Sequence, residues 1–319
     1  MLEEPQSSFQ IRRIMRIAFY KYFLVLLISL KAFSTFGPNL VGGIEASSRF
    51  PSIFIFSEYR KHLTDQFCTA AKVNRRQFIT AAHCVLDIGD KRWFFPSSAK
   101  PGSFYYYSFA KNLSTPENVY SLKIKKVFIH PLLHNCINKT KYSPALCHSR
   151  ALPTPDVALV EVEEGQGPFF EAPLLPIDFN PNRPGDEMIL TGYGSTMDGD
   201  TTPPRLRYGY SKVASPEELA QAVKGTSAID MEFLESGFYF GSLGPLIHSN
   251  LPNLGSGDSG GPVIKEFPDR IVGINSSAVC YDSAPSDCEV TSNNFFARID
   301  KEAKIPLDLW IQKTLGSSK

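Results

Sequence analysis

One short segment of the sequence combines a serine with glycines in a way that suits nucleophilic chemistry. In Gly257–Pro262, glycines on both sides of Ser259 leave its hydroxyl open to the approach of a substrate carbonyl. The backbone N–H groups of Gly257 and Ser259 would then stabilise the oxyanion that forms on that carbonyl. The segment therefore predicts a nucleophile with its oxyanion hole, and an ordinary hairpin loop is the alternative.

Two residues earlier in the chain can provide the proton transfer that a serine nucleophile needs. His83 follows small residues and precedes Cys84 at the end of an apolar strand, an environment that fixes the imidazole without crowding it. Asp156 opens the apolar run 156–160, where a buried carboxylate needs a donor such as the imidazole N–H. We therefore predict that His83 is the general base and Asp156 its orienting group, in a reaction that passes through an acyl-enzyme on Ser259.

The elements that must position these residues are mostly strands. Short apolar and aromatic runs recur between clusters of Gly, Pro, Asn and Asp, a pattern typical of β-rich folds. The predicted strands include 52–56, 78–80, 122–129, 157–162, 188–191 and 270–274. The less regular stretches 96–116, 135–155 and 201–251 are predicted to be extended surface loops.

At the C-terminal end of the chain, the apolar residues recur with a helical period. An amphipathic helix packed on the body of the protein is predicted there, because apolar residues recur at helical spacing: Leu307, Trp310, Ile311 and Leu315.

The length and composition of the chain limit its architecture and its partners. With 319 residues, 43% of them hydrophobic, the chain can form one large all-β unit or two small domains. The formal net charge of +1 gives no reason to expect the strongly basic surface that a nucleic-acid partner requires, so we predict no nucleic-acid partner.

The N-terminal segment has the features of an export signal. Arg12, Arg13, Arg16 and Lys21 precede the apolar run 22–30. This run is about nine residues long, well short of the roughly 20 that a membrane-spanning helix needs. We therefore predict a signal peptide over 1–34, a secreted protein in an extracellular or periplasmic location, and no stable membrane association after signal cleavage. An uncleaved membrane anchor is the alternative.

The six cysteines of an exported chain favour disulfides over free thiols. Proximity in the sequence suggests three pairs that each close a short loop, although other connectivities stay open: Cys68 with Cys84, Cys136 with Cys147, and Cys280 with Cys288. A zinc site is the alternative for one set of residues, although their spacing is unusual for zinc ligands: His134, Cys136, Cys147 and His148. We predict no metal, since the segment 96–116 also lacks the acidic residues of a calcium loop.

Several motifs occur together in an order that resembles the trypsin-like, or chymotrypsin-fold, serine proteases. They are Leu40–Gly43 (the mature N-terminus), Thr80–Cys84 (the histidine motif), Asp156–Leu159 (the aspartate motif), Thr191–Ser195 (the Gly-Trp-Gly turn) and Gly257–Pro262 (the serine motif). The order histidine, aspartate, serine also differs from that of subtilisin and of the α/β-hydrolases. The separation of Cys68 and Cys84 matches the disulfide of the family's histidine loop.

The resemblance implies a fold and an activity. The fold is an all-β pair of six-stranded antiparallel barrels with a C-terminal α-helix, here over 40–319, and the activity is that of a serine endopeptidase on protein or peptide substrates. The family has no cofactor and is monomeric by default. It also implies a zymogen with a short propeptide over 35–39, in which cleavage before Leu40 frees an amino group that pairs with Asp258.

The sequence departs from the family at the activation cut and in the S1 pocket. Asn39 precedes the cut, so an activating protease with a tryptic preference is not expected. Asn253 stands where trypsin-like members place the aspartate that binds Arg or Lys, so we predict a preference for residues other than basic ones at P1. The remaining predicted S1 residues are Ser276, Ala278 and Asn294, which would make the pocket polar and narrow.

Two alternatives keep the fold and change the function. A catalytically idle homologue would use its loops to bind a partner protein, but such homologues usually lose a catalytic side chain, and this sequence retains His83, Asp156 and Ser259. An esterase would use the same acyl-enzyme on a small acyl donor.

Overall fold

A computed structural model describes residues 43–46, 49–58, 68–85, 103–108, 119–140, 154–194, 205–222, 235–244, 251–280 and 292–317. The chain divides into two compact units, Met1–Gly37 and Pro38–Lys319, and all described residues belong to the second unit. The predicted signal peptide, the propeptide and Leu40 lie outside the described residues. None of the helices in the described ranges has the length and apolar character to cross a membrane.

The first sheet is a closed antiparallel barrel of six strands. Its strand order is β2-β3-β4-β7-β6-β5. The strands are β2 (Ile53–Glu58), β3 (Cys68–Asn74), β4 (Gln77–Thr80), β5 (Ser103–Ser108), β6 (Val119–Ile129) and β7 (Ala158–Val162). A short 3₁₀ helix, Ala82–Val85, follows β4 directly.

The second sheet has seven antiparallel strands in the order β1-β9-β8-β11-β12-β13-β10. The strands are β1 (Ile44–Glu45), β8 (Glu187–Gly192), β9 (Arg207–Lys212), β10 (Tyr239–Ser242), β11 (Pro262–Lys265), β12 (Arg270–Cys280) and β13 (Ser292–Arg298). In the part of the chain that the structure describes, this sheet is open, with β1 and β10 at its edges.

Four α-helices accompany the sheets in the described ranges. They are α1 (Pro131–Thr140), α2 (Pro168–Glu171), α3 (Pro216–Ala222) and α4 (Leu307–Gly316). Leu307 and Ile311 on α4 are fully buried, as the helical spacing predicts. The partly exposed Trp310 contacts the ring of His130 at a centroid distance of 5.4 Å, which fixes α4 against the barrel.

Strand β7 is buried on both faces, and each face packs into a different hydrophobic core. Ala158 and Val160 belong to the core inside the barrel, whereas Val157 and Leu159 belong to a core that also includes Ile274 of the second sheet. A strand that is buried on both faces needs a continuous apolar run, which explains the Val-Ala-Leu-Val pattern here. Residues at the ends of β4 and β7 therefore face the junction between the sheets.

The predicted all-β class, the first six-stranded barrel and the C-terminal helix are confirmed. The second predicted barrel is an open sheet in the described residues, because no ladder joins its edge strands β1 and β10. Two further details differ. The second sheet has seven strands because the short β1 pairs with β9. The stretches predicted to be loops also contain regular structure: β5 lies in 96–116, part of α1 lies in 135–155, and β9, α3 and β10 lie in 201–251. Strand β9 was missed because its buried positions are Gly209 and Ser211, which give no apolar signal.

Candidate active site

His83 and Asp156 meet where the 3₁₀ helix and β7 begin. The Nδ1–H of His83 donates to Oδ2 of Asp156 at 2.7 Å, and the backbone N–H of His83 donates to Oδ1 at 2.9 Å. The Asp156 side chain is 3% exposed, whereas that of His83 is 25% exposed. The carboxylate thus fixes both the backbone and the ring of His83, and one edge of the imidazole stays accessible.

A third donor reaches Asp156 from the second sheet. The hydroxyl of Ser276, on β12, donates to Oδ2 of Asp156 at 2.5 Å. The nearby phenol of Tyr239 donates to the carbonyl of Thr154 at 2.7 Å, and burial, with the negative charge of Asp156, raises the pKa of Tyr239 well above its usual value. The hydrogen bond from Ser276 compensates part of the desolvation of the buried Asp156 carboxylate.

The pKa of His83 is raised above its ordinary value. Burial lowers this pKa, but the charge of Asp156 and the hydrogen bond to it raise the pKa by more. Asp156 therefore stabilises the imidazolium form of the ring. A general base that receives a proton during the reaction needs this property.

The turn that carries Ser259 depends on glycine. Gly257 has a φ of 101° and Gly260 a φ of 81°, values that residues with a Cβ rarely adopt. A Cβ at Gly260 would also overlap the Thr80 hydroxyl and would approach the backbone N of Ala81 to 2.9 Å. The serine turn therefore packs directly on the segment that leads into His83.

Ser276 is a neighbour both of Ser259 and of the His83–Asp156 pair. Ser259 lines a cavity of about 240 Å³ together with Ser276. Ser276 in turn contacts Asp156, which holds His83. Ser276 therefore connects the cavity that Ser259 lines with the hydrogen-bonded pair of Asp156 and His83.

Asp258, beside the serine, is fully buried and accepts hydrogen bonds from the backbone. The N–H of Gly194 donates to Oδ1 at 2.7 Å, and the N–H of Gly255 donates to Oδ2 at 2.8 Å. Side chains at Gly192 and Gly194 would overlap the carboxylate, which explains why the motif Thr191–Ser195 contains these glycines. The predicted partner of Asp258, Leu40, lies outside the described residues.

The cavity beside Ser259 differs from the predicted S1 pocket in part of its lining. Ser276 and Ala278 line it, but Asn253 and Asn294 are fully buried and are not among its lining residues in the described chain. The remaining lining residues are Leu254, Gly255, Ser256 and Ser277.

Asn294 lies behind the cavity because its amide is held on three sides. It accepts the Leu254 N–H at 2.8 Å and donates to the Pro252 carbonyl at 3.1 Å and to the Ser242 hydroxyl at 3.2 Å. Asn294 therefore holds the chain segment that carries Leu254, one of the lining residues.

Cysteine pairing agrees with the disulfide interpretation where the structure describes it. Cys68 and Cys84 form a disulfide with a sequence separation of 16 residues. Cys136 is also disulfide-bonded, which removes it from the alternative zinc site. Cys147, His148 and Cys288 lie outside the described residues, so the other two predicted pairs stay predictions.

Sequence reasoning missed three contributions to this site. Ser276 was predicted to line the pocket, but its contact with Asp156 was not foreseen. Tyr239 lies in a stretch that was predicted to be a loop. Thr69, next to Cys68, donates its backbone N–H to the carbonyl of Ser259 at 2.8 Å. No local pattern identifies these contacts, because each joins residues that are far apart in the sequence.

Comparison with known proteins agrees with this architecture. The family model described as Trypsin matches residues 41–301, which is most of the chain. No curated protein matches the sequence. The matched region contains both sheets, the His83–Asp156 pair and the Ser259 turn. The chain belongs to the trypsin family and is a trypsin-like serine protease domain.

Proposed function

We propose that the protein is a secreted serine endopeptidase that hydrolyses peptide bonds through an acyl-enzyme on Ser259. The observation that carries the proposal is the hydrogen-bonded His83–Asp156 pair beside the cavity that Ser259 lines. His83 would take the proton from the Ser259 hydroxyl and return it to the leaving amine. The N–H groups of Gly257 and Ser259 would bind the oxyanion.

The cavity supports a preference for small, uncharged residues at P1. None of its described lining residues is charged, and an ammonium or guanidinium group would lose its hydration there without a carboxylate to compensate. Ala278 on β12 and Asn294 on β13 are directly opposite each other in the strand register. Ala278 lines the cavity and the buried Asn294 fills the space behind it, at two positions where the family usually has glycine.

The test of this preference is to widen the cavity. Asn294→Gly should move cleavage toward larger P1 residues, since loss of the amide opens space behind the cavity wall that Ala278 and Leu254 form. Ser242→Ala is the matched control, because it deletes one partner of Asn294 and leaves the amide in place. An unchanged P1 profile in Asn294→Gly would contradict the assignment of this cavity as S1.

Activation by cleavage before Leu40 is part of the proposal. The carboxylate of Asp258 is buried beside Ser259, where a cation would compensate its desolvation. A newly formed amino group at Leu40 would provide that cation. We expect a form that retains the residues before Leu40 to cleave peptides more slowly than the trimmed form, and equal rates would contradict a zymogen.

The decisive experiment measures cleavage of a mixed peptide library by the chain trimmed to begin at Leu40. Ser259→Ala is the control, and mass spectrometry identifies the bonds that are cut. Cleavage that disappears in Ser259→Ala supports the endopeptidase. Absence of cleavage, together with no labelling of Ser259 by a fluorophosphonate, would favour the idle homologue that binds a partner.

A further inference from the structure

Thr69, a fully buried residue of β3, forms hydrogen bonds to three segments of the candidate active site. Its N–H donates to the Ser259 carbonyl at 2.8 Å, and its hydroxyl donates to the Gly257 carbonyl at 2.9 Å. The hydroxyl also accepts the N–H of Tyr193 at 3.1 Å. The Thr69 carbonyl accepts the hydroxyl of Thr80 at 2.9 Å.

These contacts bear on the proposed oxyanion hole. The two proposed donors are the N–H groups of Gly257 and Ser259, and Thr69 holds the carbonyl of each of these residues. Gly257 has no side chain to restrict its backbone and has a φ of 101°, so rotation of its peptide groups must be limited by outside contacts. The hydroxyl of Thr69 is one such contact.

A hydroxyl is the group that this position requires. It must donate to the carbonyl of Gly257 and accept from the N–H of Tyr193, which belongs to a fully buried residue. Valine has the same shape as threonine but can do neither, and it would leave a buried donor and a buried acceptor unsatisfied. Serine can do both.

The packing around Thr69 leaves little room for the serine turn to move. A Cβ at Gly260 would overlap the Thr69 carbonyl and the Thr80 hydroxyl. Thr80 lies shortly before His83, so the same contacts connect the serine turn to the strand that leads to the proposed base. The first barrel therefore holds one side of the turn, and Asn275 of the second sheet holds the other through the Gly260 N–H at 2.8 Å.

We propose that Thr69 is a positioning residue for the oxyanion hole, acting through Gly257 and Ser259 without contact with the substrate. This inference rests on the proposed function. Donors that are aligned with the transition state raise kcat, whereas the binding of the ground state depends on them much less. Loss of the Thr69 hydroxyl should therefore affect kcat and leave KM nearly unchanged.

The test compares Thr69→Val, Thr69→Ser and the unchanged chain, all trimmed to begin at Leu40. Removal of a direct oxyanion donor costs about 10²–10³ in kcat, so we expect the indirect change Thr69→Val to lower kcat about tenfold, with KM within about twofold. A peptide aldehyde, which forms an oxyanion on the serine, should bind to Thr69→Val about tenfold more weakly. Active-site titration corrects for misfolded protein, and Thr69→Ser should restore kcat.

Thr314→Val is the matched control. The buried hydroxyl of Thr314 donates to the Trp310 carbonyl at 2.7 Å within α4, remote in sequence from the serine turn. This variant loses a similar hydrogen bond and should retain kcat. If Thr69→Val keeps kcat and aldehyde affinity, or raises KM alone, the inference is overturned.

A readout without catalysis separates this inference from the proposed function. Hydrogen exchange of the Tyr193 amide and of the turn 255–260 should be faster in Thr69→Val than in the unchanged chain or Thr69→Ser. If the unchanged chain cleaves nothing, the proposed function fails and exchange alone decides the role of Thr69 in holding the turn. Unchanged exchange rates would then overturn that role.

Discussion

Asp156 and Asp258 are both buried carboxylates at the junction of the two sheets, but different kinds of donor surround them. The Asp156 side chain is 3% exposed and receives two side-chain donors, the ring of His83 and the hydroxyl of Ser276, besides the backbone N–H of His83. Asp258 is 1% exposed and receives the backbone N–H groups of Gly194 and Gly255.

The difference in donors indicates that the two carboxylates have different roles. A carboxylate that accepts from a titrating side chain influences the charge and orientation of that side chain, as Asp156 does for His83. A carboxylate that accepts from backbone N–H groups fixes the conformation of those backbone segments, as Asp258 does for Gly194 and Gly255. Changes at Asp156 should therefore affect catalysis, and changes around Asp258 should affect folding of the turn.

The largest effect should follow from Asp156→Asn. The amide removes the negative charge and favours the wrong tautomer of His83, so kcat should fall by about 10⁴-fold, the general magnitude for this change in a Ser-His-Asp triad. Steady-state kinetics with active-site titration measures the change. A loss smaller than tenfold would contradict the proposed role of Asp156.

Gly192→Ala tests the close packing around Asp258. The new methyl group would overlap Oδ1 of Asp258, so we expect the free energy of unfolding to fall by about 2 kcal/mol. Denaturant titration measures this change. Gly316→Ala is the matched control, because a Cβ at Gly316 meets no atom within 4 Å. Equal stability of the two variants would contradict the close packing around Asp258.

Ser276→Ala should have an intermediate effect. It removes one donor to Asp156 and leaves the bonds from His83 in place, so we expect kcat to fall about tenfold. Ser52→Ala is the control, since the buried hydroxyl of Ser52 donates to the Pro173 carbonyl at 2.7 Å, outside the site. If both variants have the unchanged chain's kcat, the hydroxyl of Ser276 has no role in holding Asp156.

The smallest expected effect is a shift of the inflection in the pH profile of kcat/KM. The proposed base must be neutral, and the pKa of His83 is raised, so kcat/KM should rise with pH through an inflection above the ordinary histidine value. Because the folded protein stabilises the imidazolium, the contribution of His83 to stability is complete below its unfolded pKa and disappears as pH rises through its folded pKa. In Asp156→Asn, the inflection should move to lower pH, and no movement would contradict the role of Asp156.

The two aspartates also differ in how far the sequence predicted them. The pairing of Asp156 with His83 followed from residue types, since a carboxylate at the start of a buried strand needs a donor and an imidazole can provide one. The donors to Asp258 were not predicted, because every residue has a backbone N–H and sequence alone does not show which of them converge. The need for the glycines in Thr191–Ser195 likewise became visible only in the structure, where Asp258 occupies the space that their side chains would fill.

The strands and the last helix followed from apolar runs and from helical spacing, whereas β9 and β10 did not. Both lie in stretches with many polar residues and glycines, where tertiary pairing overrides a weak local signal. Of the predicted S1 residues, Ser276 and Ala278 line the cavity beside Ser259, and their role in substrate binding stays a prediction. The predicted pocket differed for Asn294, whose amide is held behind the cavity by Leu254, Pro252 and Ser242.

The sequence by itself determined the all-β class, the family and the identity of the candidate triad. These follow from residue types at particular positions, since an apolar strand, a glycine turn and an imidazole each carry their chemistry in their own side chains and neighbours. The tertiary structure alone decided which donors surround Asp156 and Asp258, which residues face the cavity, and that Thr69 holds the serine turn. These contacts join residues far apart in the chain, and hydrogen bonding depends on distance and direction that local sequence does not specify.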